Sequence, residues 1–364
     1  MRAAVLHDFN QPFVVGQVEL APPAQGEVRV KIAASGVCHT DLSIQRGIIP
    51  LPPPRIIGHE GAGVVEEVGP GVSGLEPGDH VVLSFMYPCG HCAECGRGRP
   101  VLCQVAQTAM ITGRGADGST RFSLGGQDLP HWVGAFAEST VVPRSACVKI
   151  RSDVPLNQAC LVGCSVMTGI GAVLNTAKVE AGATVAVFGA GGVGLNVIQG
   201  AVLAGASTII AVDLLDMKLQ LAREFGATHT VNASSDDPEA AVRDLTGGRG
   251  VDYAFEVIGS PKVIVQAFAC LALGGKCCVV GVPPFGSEVT LPAWLFSMEE
   301  KSLIGSFYGS PRLHYDMPRI IDLYVAGRLK LDQLVTQTFA LPDINRAFAA
   351  LEAGSVARSV IVYA

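Results

Sequence analysis

Charge is what this sequence has least of: Asp, Glu, Lys and Arg make up 16% of its 364 residues, against about 25% in an average soluble protein. With hydrophobic residues at 49%, the chain is no candidate for disorder, which needs high charge and low hydrophobicity. A basic excess is missing too. The 26 Lys and Arg face 32 Asp and Glu, a net charge of -6, so the composition offers nothing to meet a phosphate backbone or an anionic membrane. The amino-terminal stretch reaches His7 and Asp8 without the apolar run of a secretory signal, and a cytoplasmic protein is expected. The 43 glycines form neither a collagen period nor a Gly/Ser linker, which leaves turns and close backbone approaches as their use. Charge vanishes altogether over residues 181–212, a run long enough to imitate a membrane span. Six glycines between Gly189 and Gly205, with Asn196 and Gln199, point instead to a buried strand, turn and helix. The length favours two domains.

Cysteine is what the chain has in unusual places. Five of the 11 lie between Cys38 and Cys103. Cys89, Cys92, Cys95 and Cys103 share a segment punctuated by Pro88, Gly90, Gly96, Gly98 and Pro100. Four thiolates at this spacing complete a tetrahedral zinc and leave no position for substrate, so the ion would brace a loop with little core of its own. A reduced free-thiol loop and an iron–sulfur site are the alternatives. Cys38 and His59 are weak candidates singly, because a lone Cys or His is more often packing. Cys164 adds a second soft ligand, and two cysteines with one histidine would leave the fourth zinc position open to water or an alcohol. Cys147, Cys160, Cys270, Cys277 and Cys278 are read as small apolar packing residues in a reducing compartment.

Residues 183–188 (ATVAVF) read as a buried strand running into Gly189-Ala190-Gly191-Gly192-Val193-Gly194, with a helical stretch over 195–204. A second strand, 208–212 (TIIAV), ends at Asp213, about 20 residues on, as a dinucleotide fingerprint requires. Gly189 permits the tight turn, Gly191 lets the backbone approach a pyrophosphate, and Gly194 lets the helix pack close. The helix amino end offers N–H groups to the anion. Asp213 would bond the ribose hydroxyls, and its charge repels a 2′-phosphate, so NAD is preferred to NADP.

The motifs GVCHTD (36–41), GHEGAGVVEEVG (58–69), the four-cysteine loop (89–103), GC (163–164), FGAGGVG (188–194) and FEVIG (255–259) together resemble, from end to end, a zinc-containing alcohol dehydrogenase of the medium-chain dehydrogenase/reductase superfamily. The resemblance implies an α/β chain. A GroES-like, partly open β-barrel catalytic domain would cover 1–165 and 307–364, and a Rossmann domain with a doubly wound parallel sheet would cover 166–306. Such enzymes are the type case of a catalytic zinc held by two cysteines and a histidine, here Cys38, His59 and Cys164. Two zinc ions per subunit are thus implied, one catalytic and one structural, with NAD as cofactor. Glu60 would lie close behind the metal, and Asp41 would fix the His59 imidazole.

A metal can bring the pKa of a bound hydroxyl to about 7, so an alcohol there loses its proton near neutral pH. By resemblance, Thr40 carries that proton towards the cofactor, and NAD takes the hydride. Many animal members finish this relay with a histidine where the present chain has Ser43. His39 and Arg358 match positions at the cofactor pyrophosphate, Thr168 one near nicotinamide and Lys218 one near the adenosine ribose. Ile258 and Val282 match further cofactor contacts, and Phe85 and Trp132 match substrate-pocket walls.

The activity so implied is the interconversion of aryl or medium-chain primary alcohols and aldehydes. The alternative is a thiol-linked formaldehyde dehydrogenase acting on a hydroxymethyl adduct of glutathione or mycothiol, because CHTD and the long 104–131 loop resemble that branch as well. Gln107 stands where glutathione-linked members carry an arginine, which counts against glutathione and leaves mycothiol open. A non-enzymatic relative of the same fold is the remote alternative, opposed by the complete ligand set. Residues 295–306 are expected at a sheet edge, forming a homodimer, with a tetramer as the alternative.

Overall fold

The computed structural model describes residues 1–354 and 356–364. They form two compact units, Met1–Cys164 with Arg312–Ala364, and Ser165–Pro311.

The first unit is built on strand Glu27–Gly36, whose alternation of side chains buries Val28, Val30, Ile32 and Ala34 and so sets one face of the sheet inward. Its sheet runs in the order Cys147–Lys149, His80–Leu83, Glu60–Val68, Glu27–Gly36, Arg358–Val362, Val335–Ala340, with Ser139–Pro143 also paired to Glu27–Gly36. Every pairing is antiparallel except that of the last two strands. Glycine has a specific task here. Gly36 faces Glu60 in register, and a Cβ at Gly36 would fall 2.0 Å from Glu60 Oε2, so the carboxylate occupies the space a side chain would need.

The 104–131 segment, expected as a long loop, is largely regular. Cys103 is followed by helix Gln104–Thr112, stopped by Gly113 in the left-handed conformation. A hairpin then pairs Phe122–Leu124 with Gln127–Leu129, turning on Gly125 and Gly126, both at positive φ. The Gly-Gly pair between FSL and QDL was the available signal, since a two-residue turn of this kind needs positive φ at both positions.

The second unit holds a six-stranded sheet, parallel throughout, in the order His229–Asn232, Thr208–Asp213, Thr184–Phe188, Val251–Glu256, Leu271–Val279, Ser302–Gly305. Strand order reverses between Thr184–Phe188 and Val251–Glu256, the switch point beside which such sheets bind ligands. Its core gathers Phe188, Ile210, Val212, Val251, Ala254 and Phe268. The charge-free run 181–212 is therefore strand, turn, helix Gly192–Ala204 and strand, and no single helix among the described residues is long and apolar enough to cross a membrane. Residues 295–306 include Ser302–Gly305, the edge strand of this sheet.

Candidate active site

Cys38 ends the extended approach to helix His39–Gln45 and stands at its N-cap. Three residues on, Asp41 folds back. Its Oδ2 accepts from Cys38 N at 3.3 Å, and its Oδ1 accepts from Gly58 N at 3.3 Å and faces His59 Nδ1 at 3.0 Å. One buried carboxylate therefore ties the Cys38 turn to the His59 turn and fixes the imidazole so that Nε2 is the nitrogen free to act as a ligand. Cys164 follows the short turn Cys160–Gly163. Donor atoms of Cys38, His59, Glu60 and Cys164 lie within 4.8 Å of one another, and all four residues are buried. Thr40 and Ser43 lie three residues apart on the same helix, both half-buried, while His39 is exposed.

Electrostatics in this cluster are those of a site built for a cation. The Cys164 thiol, hydrogen-bonded to Cys38, holds Cys38 well below the usual thiol range, and the same bond with burial pushes Cys164 up. Burial alone would lower His59, but the Asp41 carboxylate and the Cys38 sulfur hold it well above its ordinary value. Burial raises Glu60 to about 7 in spite of Arg358. A thiolate, an imidazole, a second thiol and a carboxylate converging out of water form a donor set that fits zinc.

Arg358, expected at a pyrophosphate, is buried beside this cluster, where its Nη2 donates to Glu60 Oε2 while its Nε has no partner among the described residues. Phe85 and Trp132 come together over His59: the indole stacks on the imidazole with centroids 4.6 Å apart and planes 19° apart, and Phe85 meets the imidazole edge-on at 5.3 Å.

The second cluster is local. The sulfurs of Cys89, Cys92, Cys95 and Cys103 lie within 4.8 Å of one another, and backbone N–H groups point at them, Cys92 N to Cys89 Sγ and Cys89 N to Cys103 Sγ, each at 3.3 Å. The N–H groups of Cys95 and Gln104 bring Cys92 down to about 6. Four sulfurs with amide donors fit a thiolate-bound metal and leave no open position.

In the second unit, Gly189 takes φ +104, open space lies where Gly191 would carry a Cβ, and a Cβ at Gly194 would fall 1.8 Å from Gly189 O. Gly189 and Gly194 thus leave no room for a side chain in this turn, which lies at the amino end of helix Gly192–Ala204. Asp213 Oδ2 accepts from Ala190 N at 2.8 Å and its Oδ1 from Leu214 N at 2.8 Å, which locks the carboxylate at the rim. Lys218 is half-buried on helix Asp216–Glu224, Thr168 is buried in helix Ser165–Gly171, and Ile258 and Val282 are exposed.

Sequence reasoning quoted FEVIG without assigning its carboxylate. Glu256 Oε1 accepts from the N–H groups of Ile258, Gly259 and Ser260 at 2.9, 2.7 and 3.2 Å, pinning the turn that presents Ile258. A carboxylate inside an otherwise apolar strand was the signal, because a buried charge demands such partners.

Residues 24–152 match the family model of the alcohol dehydrogenase GroES-like domain, and residues 192–326 that of the zinc-binding dehydrogenases. The chain is 42% identical to an S-(hydroxymethyl)glutathione dehydrogenase of Paracoccus denitrificans, over 100% of this chain and 99% of the other.

The chain belongs to the zinc-containing alcohol dehydrogenases.

A class-3 alcohol dehydrogenase of Cereibacter sphaeroides is likewise 42% identical, with 100% and 99% of the two chains covered. The benzyl alcohol dehydrogenase structure from Acinetobacter calcoaceticus superposes with a TM-score of 0.95 at 34% identity, covering 100% and 99%. The fold is thus a GroES-like domain with a Rossmann-like parallel-sheet domain, and the protein is an NAD-linked, zinc-dependent oxidoreductase of the medium-chain superfamily.

Proposed function

We propose that this alcohol dehydrogenase oxidises the hydroxymethyl group of a thiol adduct, RS–CH2OH, to the thioester RS–CHO, passing hydride to NAD and releasing one proton. What supports the reading is full-length similarity, at 42% identity, to a relative named for that substrate class. Bound zinc supplies a Lewis acid that acidifies a hydroxyl, and bound NAD supplies the hydride acceptor.

The chain's own residues do the rest. Cys38, His59 and Cys164 hold the catalytic metal, Glu60 stands behind it, and Asp41 fixes the His59 ring. Cys89, Cys92, Cys95 and Cys103 hold the structural one. Thr40 accepts the hydroxyl proton, and Ser43 passes it to solvent through water in place of the histidine of animal relatives. Gly189, Gly191, Gly192, Val193 and Gly194 receive the pyrophosphate, Asp213 and Lys218 the adenosine ribose, and Thr168, Ile258 and Val282 flank the nicotinamide. Arg358, buried, holds Glu60. Gln107, half-buried on helix Gln104–Thr112, offers no charge to a glutathione carboxylate, which favours mycothiol as the thiol. We further infer a cytoplasmic homodimer joined along the edge strand Ser302–Gly305.

A second reading, aryl alcohol oxidation, draws on the Phe85 and Trp132 rings over His59 and on the likeness to benzyl alcohol dehydrogenase. NADH formation separates them. Turnover of formaldehyde only when glutathione or mycothiol is present supports the thiol reading. Rapid turnover of benzyl alcohol or hexanol, with no response to thiol plus formaldehyde, overturns it in favour of the second.

A further inference from the structure

Glu256 closes strand Val251–Glu256, at the carboxyl edge beside which parallel sheets of this kind bind ligands. It is buried, and burial pushes its carboxyl above the ordinary value against the pull of the N–H groups of Ser260, Gly259 and Ile258. Those three share Oε1, while Oε2, shielded from solvent, has no partner among the described residues. A buried carboxylate left half-paired is costly, and groups so perturbed gather at functional sites.

One residue governs two turns. The side chain of Glu256 holds residues 257–260, and its backbone carbonyl accepts from Val280 N at 2.8 Å and Gly281 N at 3.0 Å, which fixes the approach to Val282. The turns touch along their backbones: a Cβ at Gly281 would fall 2.1 Å from Gly259 N, and one at Gly259 would fall 2.4 Å from Val282 O. The first turn also leans on the glycine run, where a Cβ at Gly189 would fall 2.8 Å from Ile258 Cγ1 and one at Gly194 would fall 3.2 Å from Val257 Cγ2. Contacts this close leave nothing soft to absorb a displacement, so a shift of residues 257–260 reaches both Val282 and Gly189. Ile258 and Val282 themselves stay 56% and 64% exposed. They are held firmly and left uncovered.

We propose that Glu256 is a positioning residue for hydride transfer: its carboxylate and carbonyl together set Ile258 and Val282 against the run Gly189 to Gly194, and thereby set where the nicotinamide end of NAD lies. The proposal rests on the reading above in taking Ile258 and Val282 as cofactor contacts, and is indifferent to which alcohol is oxidised. Glu256 moves no proton. What it contributes is reach, the length of side chain that puts one oxygen on three N–H groups, and a misplacement of about 1 Å at a reacting group can cost about 100-fold in rate.

The test compares variants of the full chain by NADH binding, followed through NADH fluorescence, and by the isotope effect on kcat with an alcohol deuterated at the carbinol carbon. Glu256→Asp keeps the charge and withdraws the oxygen by one methylene, whereas Glu256→Gln keeps the reach and drops the charge. Glu256→Asp raises the NADH dissociation constant about tenfold, the scale of one charge-assisted bond, and raises the isotope effect, because a misplaced ring slows hydride transfer until it limits turnover. Glu256→Gln stays within about threefold of wild type in both. Asp252→Ala is the control for stability alone. Near the other end of the same strand, Asp252 Oδ2 accepts from Thr184 N and Oγ1, each at 2.8 Å, and its loss lowers the thermal transition with neither cofactor readout moved. If Glu256→Asp behaves as Asp252→Ala does, or if Glu256→Gln is as damaging as Glu256→Asp, the proposal is wrong. Ile258→Ala tells its failure from that of the contact reading. Weaker NADH binding in Ile258→Ala but not in Glu256→Asp removes the proposal alone, and unchanged binding in Ile258→Ala removes the contact reading and the proposal with it.

Discussion

The molecule holds two sulfur-rich clusters that solve the same problem in opposite ways. One takes its four cysteines from a single stretch, Cys89 to Cys103, where three of the four are half-exposed and the helix Ala93–Gly96 buries nothing. The other takes Cys38, His59 and Cys164 from three distant turns and buries each of them, with exposures of 6%, 1% and 7%. In the first the metal must hold the backbone. In the second the backbone, through Asp41, the Gly36–Glu60 contact and the Trp132 stack, already holds the ligands. A ligand set is therefore structural or catalytic according to which partner, ion or fold, does the positioning.

The comparison can be broken most sharply at Cys164. Cys164→Ser should lower kcat/KM by about a thousandfold or more, given that a catalytic metal is worth several kcal/mol, while metal analysis still finds the loop ion and the thermal transition barely moves. Asp41→Asn should do less. An orienting partner of a metal ligand is worth about 10- to 100-fold in affinity or activity, and added zinc should recover part of the loss, which a general unfolding would not allow. Cys95→Ser should do least to turnover per zinc-loaded molecule but most to the backbone, with protease cutting appearing between residues 88 and 131 and the thermal transition falling. If Cys95→Ser leaves proteolysis unchanged, or Cys164→Ser opens the same loop to protease, the contrast between the two clusters is lost.

What could be read from the sequence follows the same division. The loop cysteines and the run Gly189 to Gly194 are contiguous, so spacing alone exposes their chemistry. Cys38, His59 and Cys164 gain meaning only when strand Glu27–Gly36, the turn before Glu60–Val68 and the turn after Cys160–Gly163 converge, and it was resemblance rather than spacing that joined them. Arg358 beside Glu60 lay beyond both routes. Its place depends on the late strand Arg358–Val362 pairing with Glu27–Gly36, a contact across most of the chain that no local pattern announces. The 104–131 segment failed for another reason: its helix is short, weakly amphipathic and buries only Ala106, so it carries little periodicity to detect.

Cys103 is both the last sulfur of the loop cluster and the residue from which helix Gln104–Thr112 departs. At about 1.5 Å per residue, those nine residues make a lever arm of about 13 Å whose far end delivers the Gly113 turn. A tilt of only about 10° at Cys103 would swing that end by about 2 Å, further than a hydrogen bond can stretch and survive. The loop ion is in this sense a fulcrum, and the accuracy with which it seats one cysteine is multiplied along the helix into the placing of the hairpin beyond it.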